Sequence, residues 1–150
     1  MGFIKNGVNR TKHWVRKHHL LNKVRILIFG HDGADCELLR SILLQESSAS
    51  VDVSPTVVTA VEMHRRTPYH VIIAVIRPGM WAGFELIKAI RETDVEYRGF
   101  TVMLAVGFTS EDEQRSIAAG FDVYISSPLD ASEVINVIVQ RLNDLAKRAA

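Results

Sequence analysis

Gly30 and Gly33 follow an apolar run and precede a helix-like pattern, the setting in which backbone amides at a helix start can receive phosphate. The pair is incomplete as a nucleotide motif, because the third glycine of a dinucleotide fingerprint is missing and no Gly-Lys-Ser/Thr phosphate loop occurs in the chain. Arg65, Arg66, Arg77, Arg91 and Arg98 offer the stacking and bidentate contacts that a cyclic dinucleotide would use, with ordinary solvation of these arginines as the plainer reading. His31, with His13, His18 and His19 upstream, raises zinc or copper chemistry. His18 and His19 would project about 100° apart on a helix. His13 and His31 have no Cys or carboxylate partner nearby in sequence, so no metal site and no cofactor are expected. Cys36, the one cysteine, reads as a small packed side chain on a helix rather than a nucleophile. No Ser-His-Asp grouping emerges from the spacing, and enzymatic activity is not expected.

The distribution of charge is more informative than any motif. Between Glu62 and Glu85 there is no Asp or Glu, although that stretch holds a buried-looking strand and the loop Arg77-Pro78-Gly79-Met80. No lysine occurs between Lys88 and Lys147. Residues 1–23 carry Lys5, Arg10, Lys12, Arg16, Lys17 and Lys23 without an acid, a charge of +6, whereas the remainder is at −5. A basic arm on an acidic body suggests an anionic partner, whether lipid head groups, nucleic acid or an acidic protein surface, or else the arm folds back on its own body.

The elements that must position these residues follow from periodicity. At 150 residues with 47% apolar content, one domain with a sizeable core is expected. From Lys23 onward, β-rich runs alternate with helical segments, which points to successive βαβ units and a mainly parallel sheet. Strands are expected at 24–29, 51–53, 71–76, 101–106 and 123–126. The third is apolar throughout, as suits a central strand covered on both faces. Helices are expected at 34–45, with Leu38, Leu39, Ile42 and Leu43 at helical spacing, from Ser54-Pro55 to Arg66, and at 83–91. A fourth should open on a Ser110/Glu113 capping box and stop at Gly120, and a fifth should run from a box at Asp130 and Glu133 to Lys147.

The blocks RILIFGHDGADCELLRSILLQ, VIIAVIRPGMWAGFELIKAIR, VMLAVG and AAGFDVYISSPLD resemble, in order and spacing, a response-regulator receiver domain over residues 24–147. The resemblance implies an α/β, flavodoxin-like (βα)5 fold with parallel strand order 2-1-3-4-5, here carrying a basic helical extension. Domains are accordingly expected at 1–23, a basic amphipathic arm, and 24–150, a receiver-like body.

Receivers use two acids after strand one to hold magnesium, an acceptor Asp ending strand three, a hydroxyl residue ending strand four and a Lys ending strand five. Magnesium demands oxygen ligands, the acceptor carboxylate attacks a phosphoryl group in line, and the hydroxyl and ammonium neutralise its oxygens. Matching without gaps places Gly30 and His31 at the acid pair, Ala74 at the acceptor, Val106 at the hydroxyl and Ser127 at the lysine. Asp32 remains at a less demanding third acidic position and reads first as a loop or cap residue. Joint loss is coherent, because removing the carboxylates would leave a buried lysine uncompensated. The resemblance therefore implies a degenerate, pseudo-receiver member that lacks its phosphoacceptor.

Interaction residues can be nominated on the same basis. Trp81 sits in a one-residue insertion after strand three and covers the pocket mouth, anchors a partner, or packs locally on Met80 or Phe84. Tyr124 matches the family's aromatic switch position, and its rotamer is expected to be fixed by packing or by a partner. On the last helix, Val137 and Val139 flank opposite sides of the core-facing set, so one of them is expected to leave apolar surface for docking or for dimerisation through helices four and five. In the arm, Phe3, Ile4, Val8, Trp14, Val15 and Leu21 oppose Lys5, Lys12, Arg16 and Lys23, a helix suited to an anionic membrane, a partner groove or the body itself. DNA binding is disfavoured, since no base-reading module accompanies the arm.

With one cysteine and no secretion signal, the chain is expected in the cytoplasm, with membrane association through the arm as an option. Met1-Gly2 does not make a myristoylation site, because Asn6 stands where Ser or Thr is needed. The function expected is a phosphorylation-independent interaction module of bacterial two-component-type signalling, its partner a histidine kinase or another signalling protein. The alternatives are a small-ligand or cyclic-dinucleotide sensor using the vacated pocket, and a membrane-surface adaptor.

Overall fold

The computed structural model describes residues 21–30, 33–77, 79, 81–93 and 101–149. Strands β1 (Arg25–Phe29), β2 (Ser50–Ser54), β3 (Val71–Val75), β4 (Val102–Gly107) and β5 (Val123–Ser126) alternate with helices α1 (Ala34–Glu46), α2 (Val57–Arg66), α3 (Ala82–Thr93), α4 (Ser110–Ala119) and α5 (Ala131–Ala149). All neighbouring strands are parallel, in the order β2-β1-β3-β4-β5. This is the flavodoxin-like receiver arrangement expected from the sequence.

Burial explains the run-like composition of the strands. Every residue of β3 and β4 is buried, because these strands lie inside the sheet with helices on both faces. On one face Ile26, Ile28, Ile73, Leu104 and Val106 pack with Leu39 and Leu43 of α1 and Val134 and Ile138 of α5. On the other, Leu27, Ile72, Ala74, Met103 and Ala105 pack with Ala60 of α2, Leu86 and Ile90 of α3, and Phe121. Each fully buried Ile or Leu contributes about 1.5–3 kcal/mol relative to exposure, so the two layers supply the main driving force. Edge strand β2 keeps only Ser54 buried. Leu21, counted in the arm by its sequence pattern, is buried in the α1/α5 layer, with Val24 N–H donating to its carbonyl at 3.0 Å.

Two helix starts differ from expectation. Ser54 ends β2, its carbonyl accepting from Gly30 N–H at 3.1 Å and its hydroxyl donating to Thr56 O at 3.1 Å, and α2 begins only at Val57. Thr56 caps instead, in extended backbone, its side chain accepting from Thr59 N–H at 3.2 Å. At α4 the capping box is Thr109/Asp112 rather than Ser110/Glu113. Asp112 wins because one carboxylate oxygen accepts from both Phe108 and Thr109 N–H, each at 3.1 Å, which ties the whole turn after β4. Gly120 ends α4 in the left-handed region at φ 104°, as its position suggests. Glu133 N–H donates to Asp130 at 3.2 Å at the start of α5.

Candidate regulatory cleft

Strand register brings the expected pocket residues to one edge. Phe29 pairs with Ala74 and Ala74 with Ala105, while Val75 pairs with Val106, Val106 with Ile125 and Gly107 with Ser126. Beyond the strands, Ile76 N–H donates to Val106 O at 2.7 Å and Ser127 N–H to Gly107 O at 2.8 Å. Gly30, Ala74, Val106 and Ser127 thus share the carboxyl edge of the sheet. His31 and Asp32 lie outside the described residues.

The edge is packed by apolar and cationic side chains. Ala74 and Val106 are fully buried. A Cβ on Gly30 would stand 2.6 Å from the Cys36 sulfur and 3.4 Å from Val75 Cβ, and one on Gly83 would collide with Ile76 Cδ1. Arg77, just past β3, reaches across to the first turn of α1 and pairs with Asp35 at 3.5 Å. Spacing alone did not single out this pair. The only hint was a cation following directly on an apolar strand run. Among the described residues these side chains narrow the space in which a small ligand is expected. A groove of about 410 Å3 lies instead between α3 and α4, lined by Phe84, Ile87, Lys88, Arg91, Glu92 and Ala119.

Trp81 and Tyr124 flank this edge. Trp81 is 48% exposed and lies tilted against Phe84 at 5.8 Å between ring centroids, while the Arg115 guanidinium carbon sits 4.6 Å from its ring centroid. Met80 lies outside the described residues. Phe84 meets Phe121 edge to face, so the loop is stapled to both α3 and the end of α4. Tyr124 donates its hydroxyl to Thr109 O at 3.1 Å. Burial, reinforced by the charge of Asp112, pushes its phenol up from the ordinary value and keeps it a donor.

On α5, Val134, Ile135 and Ile138 are core residues, and Val137 and Val139 are both half-buried and packed against the same layer. Trp14, Lys12 and Arg16 lie outside the described residues.

The amino edge holds polar contacts that periodicity did not reveal. His70 Nδ1 accepts from Arg25 N–H at 2.9 Å, and His64 Nδ1 accepts from Tyr69 N–H at 3.0 Å. The Arg25 guanidinium donates twice to Pro68 O, and Tyr69 donates to Asp52 at 2.6 Å. Burial and the Asp52 bond push the Tyr69 phenol up from its usual range. Burial, then the charge of Arg25, lowers His70 below its ordinary value.

Comparison places this fold among receivers. The chain superposes on the receiver domain of sensor histidine kinase PA1611 from Pseudomonas aeruginosa with a TM-score of 0.70 at 17% identity, covering 81% of this chain and 98% of that one. A putative response regulator from Chloroflexus aurantiacus gives 0.72 at 18% identity, covering 81% and 99%. A CheY-like receiver domain protein from Methanospirillum hungatei gives 0.66 at 23%, covering 85% and 99%. The chain has the receiver fold. No protein-family profile matches it. It is 31% identical over 121 residues to an uncharacterized 14.6 kDa protein in the sodA1 3′ region of Leptolyngbya boryana, covering 80% of this chain and 91% of that protein, and it belongs to that protein's family.

The Pseudomonas receiver holds a magnesium ion in its cleft. The residues described here do not fit such an ion. Among them no group of three His, Cys, Asp or Glu side chains can hold a metal, and Asp35 at this edge faces a guanidinium. No helix among the described residues is long and apolar enough to cross a membrane.

Proposed function

We propose that this chain is a pseudo-receiver, a non-enzymatic, phosphorylation-independent interaction module of two-component-type signalling. The observation that carries the reading is Ala74, fully buried at the end of β3 where the sequence match puts the phosphoacceptor. A methyl group cannot attack a phosphoryl group. Its neighbours Val106 and Ile76 offer no hydroxyl or metal-binding oxygen on their side chains.

A module of this kind regulates by occupancy or abundance, through contact with a histidine kinase or another signalling protein. Trp81 is the best-placed anchor, because half of its indole is exposed while Phe84 and Arg115 hold it in place. A preordered aromatic side chain loses little conformational freedom on binding.

Incubation of the full chain with acetyl phosphate and magnesium, followed by intact-mass spectrometry under neutral conditions, tests the reading. The expected result is an unmodified mass. An acyl-phosphate adduct overturns it.

A further inference from the structure

We infer that Arg77 is a built-in cation at the carboxyl edge, joining the end of β3 to the first turn of α1 in place of a divalent ion. The inference rests on reading this edge as a retired phosphorylation site. Two observations carry it together. Arg77 and Asp35 lie 42 residues apart in sequence, yet their side chains meet at 3.5 Å and are only 34% and 26% exposed. Gly33 leaves the room: a Cβ there would collide with the Arg77 guanidinium nitrogen.

The glycine at 33 is therefore explained by space and not by backbone conformation. Its φ of 176° is extended backbone that any residue adopts, and it makes no side-chain cap for α1. What a side chain would do here is displace the guanidinium.

Charge arrangement supports the same assignment. Asp35 and Glu37 lie in the first turn of α1, where the helix dipole already stabilises anions. A nearby cation is then held by a carboxylate that is fixed in place. The guanidinium is part of the chain, so this cation stays at the edge where a bound metal would be exchangeable. A divalent ion entering the same edge would meet a positive group of the chain itself. The clamp accordingly ties Arg77 to the first turn of α1 without a bound magnesium ion.

Arg77→Ala, Asp35→Asn and the double variant of the full chain test this, with hydrogen exchange at the start of α1 as the readout. Each single variant is expected to speed exchange at 37–39, the first amides bonded back to that turn, by about two- to five-fold, the double variant no more than either single. Added salt should shrink the difference from wild type. Gly33→Ala should behave like Arg77→Ala. Magnesium should leave wild-type exchange unchanged. Additive single effects, an unaffected Gly33→Ala, or protection of wild type by magnesium would each overturn the clamp. An additive cycle with no acyl-phosphate sinks the clamp alone, whereas an acyl-phosphate sinks the underlying reading.

Discussion

The hydroxyl of Tyr124 occupies the space beside Gly107, where an added Cβ would stand 2.5 Å from the phenolic oxygen and 3.0 Å from Asp112 Cβ. The ring is thereby held between β4 and the capped turn at Thr109. Gly107→Ala should displace it, with an overpacking cost of about 1–3 kcal/mol in urea unfolding. Tyr124→Phe should cost less, about 0.5–1.5 kcal/mol, because the ring stays and only the hydroxyl's hydrogen bonds to Thr109 O and Ser126 are lost. Equal costs would mean that packing at Gly107 does not hold the tyrosine.

Arg115 links α4 to the Trp81 loop. It also pairs with Glu111 at 2.6 Å, but both of those side chains are well exposed, so that pair adds little. Arg115→Ala should cost about 0.5–1 kcal/mol, mostly through the lost contact with the indole. Glu111→Gln should cost less. Trp81 fluorescence should shift to the red in the first variant and stay put in the second, measured against a Trp14→Phe background so that one indole reports.

Much of this architecture was legible because central strands carry their burial in their composition. The wholly apolar 71–75 run could only be an interior strand, and the Gly120 stop needs nothing beyond its own helix. Caps were misread by one or two residues, since Ser54 and Ser110 are sound cap types and the choice of Thr56 and Thr109 depends on where the preceding strand ends. The Ala74 position was legible from strand order, but the Arg77–Asp35 contact was not. It exists only once two different βα units converge, and the demand it places on Gly33 comes from a distant side chain. Val137 and Val139 show the converse limit: a helical wheel puts them on the flanks of α5, and only the packed structure shows both half-buried against the core.

His70 makes folding stability depend on pH. Its Nδ1 accepts a backbone N–H from Arg25, which requires the unprotonated ring, and burial with the nearby Arg25 charge lowers its pKa below 6.5. Well above pH 6.5 both folded and unfolded chains hold it neutral. Below that value the unfolded chain takes up a proton first, so stability falls with pH until the folded form titrates as well. His70→Asn keeps an acceptor oxygen and removes the titration. The variant should therefore lose less stability than wild type between pH 7 and pH 5 in parallel urea titrations. Identical pH profiles would contradict the assignment.

Restoring an acid at the end of β3 should not restore a phosphorylation site. Ala74 is fully buried among Leu27, Phe29, Ile72 and Ile76, and a Cβ on Gly83 would already stand 3.6 Å from its methyl group. Ala74→Asp must therefore bury a carboxylate beside apolar groups and crowd α3, two costs that act together. The expected loss is about 3 kcal/mol or more in urea unfolding, with the introduced carboxyl raised well above its ordinary pKa so that raising the pH deepens the loss. Incubation with acetyl phosphate and magnesium should still give no adduct, because Val106 and Ser127 supply neither the hydroxyl nor the ammonium that the chemistry uses at those positions. A stable, phosphorylatable Ala74→Asp protein would show instead that one substitution separates this fold from an active receiver.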